Sequence, residues 1–159
     1  MNNKKKYIVT IDIGGTKTNL GFFLENKLVK IINFSTLKFG PDNINKISEI
    51  LQDSKKNILV ICLSLTGLVN NKGYWNPINK KTLGNFVNYP IVKKLNFFFN
   101  VPVYALGDTQ AAAVGELYYG SGRNLSNFFY LTISTGIGGS IIQNKNLFEG
   151  KISDVGSLG

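Results

Sequence analysis

Two glycine-rich segments of this sequence carry residue types that suit phosphate binding. Residues 12–17 read DIGGTK and residues 134–139 read STGIGG, and each segment follows a short apolar run. Glycine lets successive backbone N–H groups turn toward an anion, and a carboxylate such as that of Asp12 can hold a hydrated Mg²⁺ opposite them. Taken alone, either segment is better explained as an ordinary hairpin turn. Because each one ends the first strand of a unit, the pair favours phosphate binding.

The first segment joins two predicted strands and does not lead from a strand into a helix. It therefore differs from a Walker loop and from a dinucleotide fingerprint, which present phosphate to the start of a helix. The hydroxyl group of Thr16 and the ammonium group of Lys17 offer further phosphate contacts. A backbone with positive φ is the expected reason for the glycines at positions 14 and 15.

Asp108 opens an alanine-rich segment that is predicted to be helical as far as about Tyr119. An Asp at such a position is often only an N-cap, which stabilises a helix by about 1 kcal/mol. The helix N-terminus also favours the charged form of a carboxylate, which can then accept a proton from a hydroxyl group. Phosphoryl transfer needs little beyond clamped phosphates, Mg²⁺ and one oriented base of this kind. The residue type alone leaves both interpretations of Asp108 open.

The apolar pattern predicts the elements that position these residues. Three strands within residues 7–34 have tight connections and are therefore expected to be antiparallel. A helix begins at Pro41, a buried strand covers residues 58–64, and a polar, irregular stretch covers residues 66–88. A second helix begins at Pro90, and a short strand leads from it into the third helix. The predicted order is β-β-β-α-β-α-β-α.

A new β-turn-β unit is predicted after the third helix. Residues 121–124 have the composition of a linker, and residues 128–135 form the next strand. Residues 136–139 are predicted as a turn and residues 140–143 as the strand that follows it. The three phenylalanines at positions 97–99 end the second helix, where we expect them to pack in the core.

Composition excludes several classes of function. The 159 residues include no histidine and a single cysteine, Cys62, so a Ser-His-Asp or Cys-His nucleophile system, a His-ligated metal and an internal disulfide are excluded within this chain. Cys62 lies in an apolar run and is predicted to be an inert core residue. The net charge is +9, but of 18 positive residues only Arg123 is an arginine. Scattered lysines are typical of an AT-rich genome, and the near absence of guanidinium groups, which read base edges, disfavours nucleic acid as a partner.

The amino-terminal residues give no sign of a targeting segment. Asp12 interrupts the apolar stretch that follows the lysines at positions 4–6, and no small-residue cleavage site comes after it. No run approaches the roughly 18 apolar residues of a membrane span. We therefore expect a cytoplasmic protein without a membrane partner.

In order and spacing, the three chemistry-bearing segments resemble those of the ROK family (repressors, open reading frames and sugar kinases) of the actin/hexokinase superfamily. Residues 12–17 match the family's first phosphate motif, residues 107–113 resemble its catalytic segment, and residues 134–139 resemble its second phosphate motif. The resemblance covers essentially the whole chain and implies an α/β fold. It implies a ribonuclease H-like ATPase domain in residues 1–120 and the beginning of a second such domain in residues 121–159.

The resemblance also implies roles for individual residues, with ATP and Mg²⁺ as cofactors. Asp108 would be the base that deprotonates the sugar hydroxyl, and Asp12 would hold Mg²⁺ through water. Contacts to the nucleotide phosphates are implied for Asp12, Gly14, Gly15, Thr16, Lys17, Thr135, Gly136, Gly138 and Gly139. Contacts to the sugar are implied for Thr66, Gly67, Asn79, Gly107 and Ser157.

Within the family, this sequence is most similar to the bacterial N-acetylmannosamine kinases, in residues 66–69, 76–77, 83–84, 89–91 and 108–113. The similarity implies ATP-dependent 6-phosphorylation of N-acetylmannosamine in sialic acid breakdown, and a homodimer. A glucokinase-like kinase and a non-catalytic remnant are the alternatives. A repressor is disfavoured, because the first strand begins by Tyr7 and leaves no room for a helix-turn-helix.

The sequence departs from the family pattern at the sugar site. Gly107 stands where the family has an Asn that binds the sugar, and losing such a polar contact costs about 1–3 kcal/mol. Residues 79–82 resemble an insertion, and Ser157 stands where a sugar-binding Glu is usual. The chain stops one residue before a histidine of the family motif. We therefore expect an amino-terminal half, with the family's zinc-binding cysteines, most of the second domain and the adenosine pocket beyond residue 159.

Overall fold

The computed structural model describes residues 6–133 and 137–148, which form two compact units that divide between Ala105 and Leu106. The strands are β1 (Tyr7–Ile13), β2 (Lys17–Leu24), β3 (Lys27–Ser35), β4 (Ile58–Leu65), β5 (Leu68–Val69), β6 (Trp75–Asn76), β7 (Val103–Gly107), β8 (Phe128–Ile133), β9 (Ile137–Gln143) and β10 (Asn146–Leu147). The helices are α1 (Gly40–Leu51), α2 (Lys80–Leu83), α3 (Ile91–Phe99) and α4 (Asp108–Tyr119), with a 3-10 helix at Gln52–Asn57. Within these ranges, none of the helices has the length and apolar character that crossing a membrane requires.

The larger sheet has five strands in the order β3-β2-β1-β4-β7. β2 pairs antiparallel with both β1 and β3, which confirms the prediction of three antiparallel strands. β1 pairs in parallel with β4. A parallel pair needs a long crossover connection, and α1 with the 3-10 helix lies within it. The fold is therefore mixed α/β, as expected.

One face of this sheet carries the hydrophobic core. Val9, Ile11 and Ile13 on β1 are buried, whereas Thr10 and Asp12 alternate with them and point to the opposite face. Leu20 and Phe22 on β2 and Ile61, Leu63 and Leu65 on β4 are buried in the same cluster. Two helices cover this face with the residues Ile44, Ile47 and Leu51 of α1 and Ile91, Leu95 and Phe99 of α3. The opposite face of β1 carries Ile8, Thr10 and Asp12, with Asp12 exposed.

The prediction for the three phenylalanines at the end of α3 is wrong for two of them. Phe99 is buried, but Phe97 is 88% exposed and Phe98 is 40% exposed. Consecutive helical residues are rotated by about 100° from one another, so three in a row cannot share one buried face. The ammonium group of Lys55 lies 4.6 Å from the centre of the Phe98 ring, which partly covers that side chain.

Cys62 is half-buried and lies on the face of β4 that alternates with the core residues Ile61 and Leu63. The prediction that Cys62 lies in the core is therefore wrong. Burial raises the pKa of the Cys62 thiol, which keeps the side chain in its less reactive protonated form. This agrees with the prediction of an inert thiol.

The stretch predicted to be irregular, residues 66–88, contains ordered structure. β5 and β6 form a two-stranded antiparallel pair, and Trp75 of β6 is fully buried. The indole Nε1 of Trp75 donates to the backbone carbonyl of Thr66 at 3.0 Å. Phe86 packs edge-on against Trp75, with 4.9 Å between the ring centres. These contacts attach the stretch to the end of β4.

The second unit consists of α4 and a three-stranded sheet in the order β10-β9-β8. A small core of Ala113, Leu117 and Ile142 joins α4 to this sheet. The predicted linker at residues 121–124 forms turns that are attached to α4. Glu116 accepts backbone hydrogen bonds there, from Ser121 to its carboxylate at 2.7 Å and from Gly122 to its carbonyl at 3.1 Å.

We predict that Ile61→Ala lowers the free energy of unfolding by about 2–5 kcal/mol, because it removes fully buried apolar volume from the centre of the core. Ile31→Ala on β3 is the matched control, since Ile31 is 58% exposed and its truncation should change stability by less than about 0.5 kcal/mol. Urea denaturation followed by circular dichroism measures both. Equal losses for the two variants would contradict this assignment of the core face.

Candidate active site

Asp12 lies near the carboxyl end of β1, on the sheet face opposite the core. It pairs with Asn19 of β2 on one side and with Ser64 of β4 on the other. The hydroxyl group of Ser64 donates to Asp12 Oδ1 at 2.9 Å. This bond orients the exposed carboxylate, and Oδ2 of Asp12 has no hydrogen-bond partner among the described residues. Ser64 was predicted only as part of a strand, and its role depends on a register that the sequence does not reveal.

The turn after β1 is closed by backbone hydrogen bonds that use its carbonyl groups. Gly14 N–H donates to Lys17 O at 3.0 Å, and Thr66 N–H donates to Ile13 O at 2.9 Å. Among the described residues, the N–H groups of Gly15 and Thr16 have no acceptor. The turn therefore presents free donors and engaged acceptors, which is the polarity that an anion requires.

Positive φ is not the reason for the glycines in this turn, so that prediction is wrong. In the described ranges the glycines with positive φ are Gly67, Gly73 and Gly84. At Gly14 a Cβ atom would lie 3.0 Å from the carbonyl oxygen of Lys17, and at Gly15 it would lie 3.2 Å from Cγ2 of Thr82. Close approach of neighbouring atoms is what requires small residues here.

Three residues with an implied sugar contact lie in the first unit. The backbone of Thr66 is bound to Ile13 at the edge of the turn, and Gly67 follows it with φ of +119°. Asn79 caps α2, because its Oδ1 accepts from Lys81 N–H at 3.0 Å. The contact of Thr82 with Gly15 brings α2 to the same turn. The structure therefore gathers these segments around the glycines.

The interpretation of Asp108 as the N-cap of the third helix is wrong. Gly107 is the N-cap residue of α4, and Asp108 is the first residue of the helix. The capping contact comes from Gln110, whose Oε1 accepts from Gly107 N–H at 3.0 Å. Asp108 is exposed, and its Oδ1 accepts from the N–H of Thr109 at 2.8 Å. In residues 6–133 and 137–148, Oδ2 of Asp108 has no hydrogen-bond partner and can therefore contact a ligand.

The second glycine-rich segment is described only in part. Gly138 and Gly139 belong to β9 and pair with Thr132 and Leu131 of β8, so the predicted turn ends earlier and the strand starts at Ile137. A Cβ atom at Gly139 would lie 2.7 Å from the carbonyl oxygen of Tyr130, which explains the glycine. The implied contacts at Thr135, Gly136 and Ser157 lie outside the described residues.

A hydroxyl contact joins the first turn of α4 to the middle of β9. Ser140 is 1% exposed, and its hydroxyl lies 3.1 Å from the hydroxyl of Thr109. Thr109 directly follows Asp108, so this contact connects the beginning of the helix to the strand that carries Gly138 and Gly139. Sequence reasoning missed both hydroxyls, because neither residue stands at a motif position to which a role was assigned.

A magnesium ion fits the first unit only as a hydrated ion shared with phosphate oxygens. In residues 6–133 and 137–148, no three His, Cys, Asp or Glu side chains form a cluster that could hold a metal. Asp12 supplies one exposed carboxylate with a free oxygen. Mg²⁺ keeps several waters and typically binds one or two carboxylates together with substrate phosphates, so a single carboxylate is compatible with it.

Comparison with known proteins agrees with this geometry. The model of the ROK family matches residues 8–159. The chain belongs to the ROK family. The resemblance to this family is thereby confirmed.

Individual ROK relatives are similar over nearly the whole of this chain. N-acetylmannosamine kinase from Vibrio vulnificus strain YJ016 is 35% identical over 156 residues, which are 96% of this chain and 53% of the relative. A Listeria monocytogenes protein provisionally described as an N-acetylmannosamine kinase has a TM-score of 0.82 at 28% identity, covering 96% of this chain and 53% of that one.

A ROK family glucokinase from Streptomyces griseus, solved with glucose and AMPPNP, has a TM-score of 0.80 at 22% identity, which shows a likeness of fold alone. The matched region covers 96% of this chain and 49% of the glucokinase chain. The chain thus spans about half the length of the ROK relatives that it matches.

We predict opposite effects from the same substitution at two glycines. Gly14→Ala should destabilise the protein by about 1–3 kcal/mol, because the new methyl group meets the carbonyl of Lys17. Gly115→Ala, in α4, should stabilise it by up to about 1 kcal/mol, because a Cβ there has nothing within 4 Å and alanine favours helix. Denaturation midpoints in guanidinium chloride measure both effects. A neutral Gly14→Ala would show that close approach does not explain this glycine.

Proposed function

We propose that this chain contributes the first phosphate-binding turn and the catalytic base of an ATP-dependent kinase that phosphorylates the 6-hydroxyl group of N-acetylmannosamine. The observation that carries the proposal is the turn at residues 14–17, with free N–H groups beside a carboxylate oriented by Ser64. Its membership of the ROK family and its 35% identity to an N-acetylmannosamine kinase support the reaction and the sugar.

In this proposal the first unit holds the nucleotide phosphates. The N–H groups of Gly15 and Thr16 donate to phosphate oxygens, and Lys17 adds a positive charge. Asp12 would hold a hydrated Mg²⁺, and such an ion would supply positive charge that offsets the charge of the phosphoryl group. Thr135, Gly136, Gly138 and Gly139 would complete the phosphate site from the second glycine-rich segment.

Asp108 acts as the general base. Its Oδ2 accepts the proton of the sugar hydroxyl while the hydroxyl oxygen of the sugar attacks the terminal phosphorus of ATP. ADP leaves with the electrons of the broken P–O bond. The first turn of α4 favours the ionised carboxylate. The bond from Thr109 to Oδ1 holds the group in one orientation, so that Oδ2 can face the substrate.

The proposed sugar contacts are Thr66, Gly67, Asn79, Gly107 and Ser157. Gly107 is buried and has no side chain, so it offers the sugar only backbone groups. Fewer polar partners should weaken sugar binding relative to a kinase with Asn at this position, by about 1–3 kcal/mol.

The remaining proposals follow from the family. The first ribonuclease H-like ATPase domain would cover residues 1–120, and a second would begin in residues 121–159. The protein would act in the cytoplasm, as a homodimer, in sialic acid breakdown. Its partners would be the sugar and ATP, with neither nucleic acid nor a membrane.

We predict that Asp108→Asn lowers kcat for N-acetylmannosamine by about 10²–10⁴-fold, because an amide cannot accept the hydroxyl proton. Asp53→Asn is the matched control, since Asp53 is an exposed residue of the 3-10 helix with no proposed role. A coupled assay of ADP release measures kcat for both variants, each made in the full-length protein. Near-normal turnover by Asp108→Asn would show that another group is the base.

The same assay identifies the substrate. N-acetylmannosamine should give a higher kcat/KM than glucose or N-acetylglucosamine. Preference for glucose would assign the protein to the glucokinase-like members, whose fold this chain shares at a TM-score of 0.80. No turnover with any of the three sugars would favour a non-catalytic protein.

We predict that Ser64→Ala raises the KM for MgATP by about threefold to tenfold, because Asp12 loses the hydrogen bond that orients it. Ser48→Ala is the matched control, since the hydroxyl of Ser48 donates to Ile44 O within α1, away from this face. Initial rates at varied MgATP measure the effect. Equal behaviour of the two variants would remove Ser64 from the site.

A further inference from the structure

We propose that Thr36 is a positioning residue for the phosphate-binding turn, a role that rests on the proposed function. Thr36 directly follows β3, and it contacts the turn twice. Its hydroxyl group donates to Gly14 O at 2.9 Å, and its backbone N–H donates to Thr16 O at 2.9 Å. One residue therefore binds two carbonyl groups of the turn.

A second hydroxyl group completes this arrangement. Thr18 is fully buried, and its Oγ1 lies 2.9 Å from Oγ1 of Thr36. A hydroxyl group has one proton, and that of Thr36 is directed to Gly14 O, so Thr18 must be the donor. The hydrogen bonds run from Thr18 to Thr36 to Gly14, and hydrogen bonds in such a chain strengthen one another.

The geometry of the peptide unit connects these bonds to phosphate binding. In a trans peptide, the carbonyl group of one residue and the N–H group of the next lie in one plane and point in opposite directions. Holding Gly14 O therefore sets the direction of the Gly15 N–H, a donor with no acceptor among the described residues. The Thr36 hydroxyl thus keeps a carbonyl oxygen away from the bound phosphate and an N–H directed toward it.

The hairpin of β2 and β3 explains how the two threonines meet. Thr18 pairs with Phe34, so the end of β3 returns to the start of β2 and brings Thr36 beside the turn. Replacing Thr36 by Val keeps the shape of the side chain and removes the hydroxyl group. The bond from its backbone to Thr16 is unaffected, so the substitution isolates the contact with Gly14.

We predict that Thr36→Val weakens binding of MgADP and raises the KM for MgATP, each by about threefold to tenfold. The KM for the sugar should be unchanged. Thr36→Ser, which keeps the hydroxyl group, should restore both values. Thr10→Val is the matched control, because Thr10 Oγ1 also donates to a glycine carbonyl, that of Gly21 at 3.4 Å, outside the turn.

Titration calorimetry with MgADP and initial-rate kinetics, both on the full-length protein, test the positioning role of Thr36. If Thr36→Val is less stable but binds MgADP with unaltered affinity, the positioning role is overturned. Equal losses of MgADP affinity in Thr36→Val and Thr36→Ser would overturn it as well. If Thr36→Val does not fold, Thr18→Val is tested in its place. We expect it to lose less MgADP affinity than Thr36→Val would. If Thr18→Val loses none, the positioning role is overturned.

The calorimetric arm separates this inference from the proposed function. A wild-type protein that binds MgADP and phosphorylates no sugar would refute the kinase assignment and leave the Thr36 comparison valid. A wild-type protein that binds no MgADP would refute the role of Thr36 as well.

Discussion

The parallel pairing of β1 and β4 is the constraint on which the first unit depends. Its register places Ile13 opposite Leu65 in the core and Asp12 opposite Ser64 on the other face. Because the two strands run in the same direction, the segments that leave them emerge side by side. The glycine turn leaves β1, Thr66 and Gly67 leave β4, and the bond from Thr66 N–H to Ile13 O holds the two exits together. Ligands of open α/β sheets bind at such strand ends.

Two kinds of glycine serve these exits for different physical reasons. Gly67 has φ of +119°, and a Cβ atom there would lie 2.5 Å from the carbonyl oxygen of Asn76. Gly14 and Gly15 lack a positive φ and are needed because other atoms approach them closely. The exit from β4 therefore uses a glycine for its positive φ, whereas the exit from β1 uses glycines for close packing. A sequence shows the same letter in both cases.

The order of the main elements and the motif positions were predictable because they depend on local patterns. Short apolar runs revealed β1 and β2, and the spacing of Ile44, Ile47 and Leu51 revealed α1. Contacts between elements were not predictable. Ser64 meets Asp12 through strand register, and Thr36 meets Gly14 across 22 residues of chain. The misplaced Phe97 and Phe98 show a further limit, because an apolar residue type does not determine which side of a helix it occupies.

The strand β3 forms one edge of the five-stranded sheet, and it exposes Leu28, Val29 and Ile31. An apolar sheet edge is a template on which a strand of another molecule can pair, and lysine side chains oppose such pairing. Lys27 and Lys30 flank Leu28 and Val29 on this edge, and Lys30 also precedes Ile31. Two of the many lysines of the sequence thus have a physical consequence beyond base composition, because their charges oppose β-pairing between molecules at this edge.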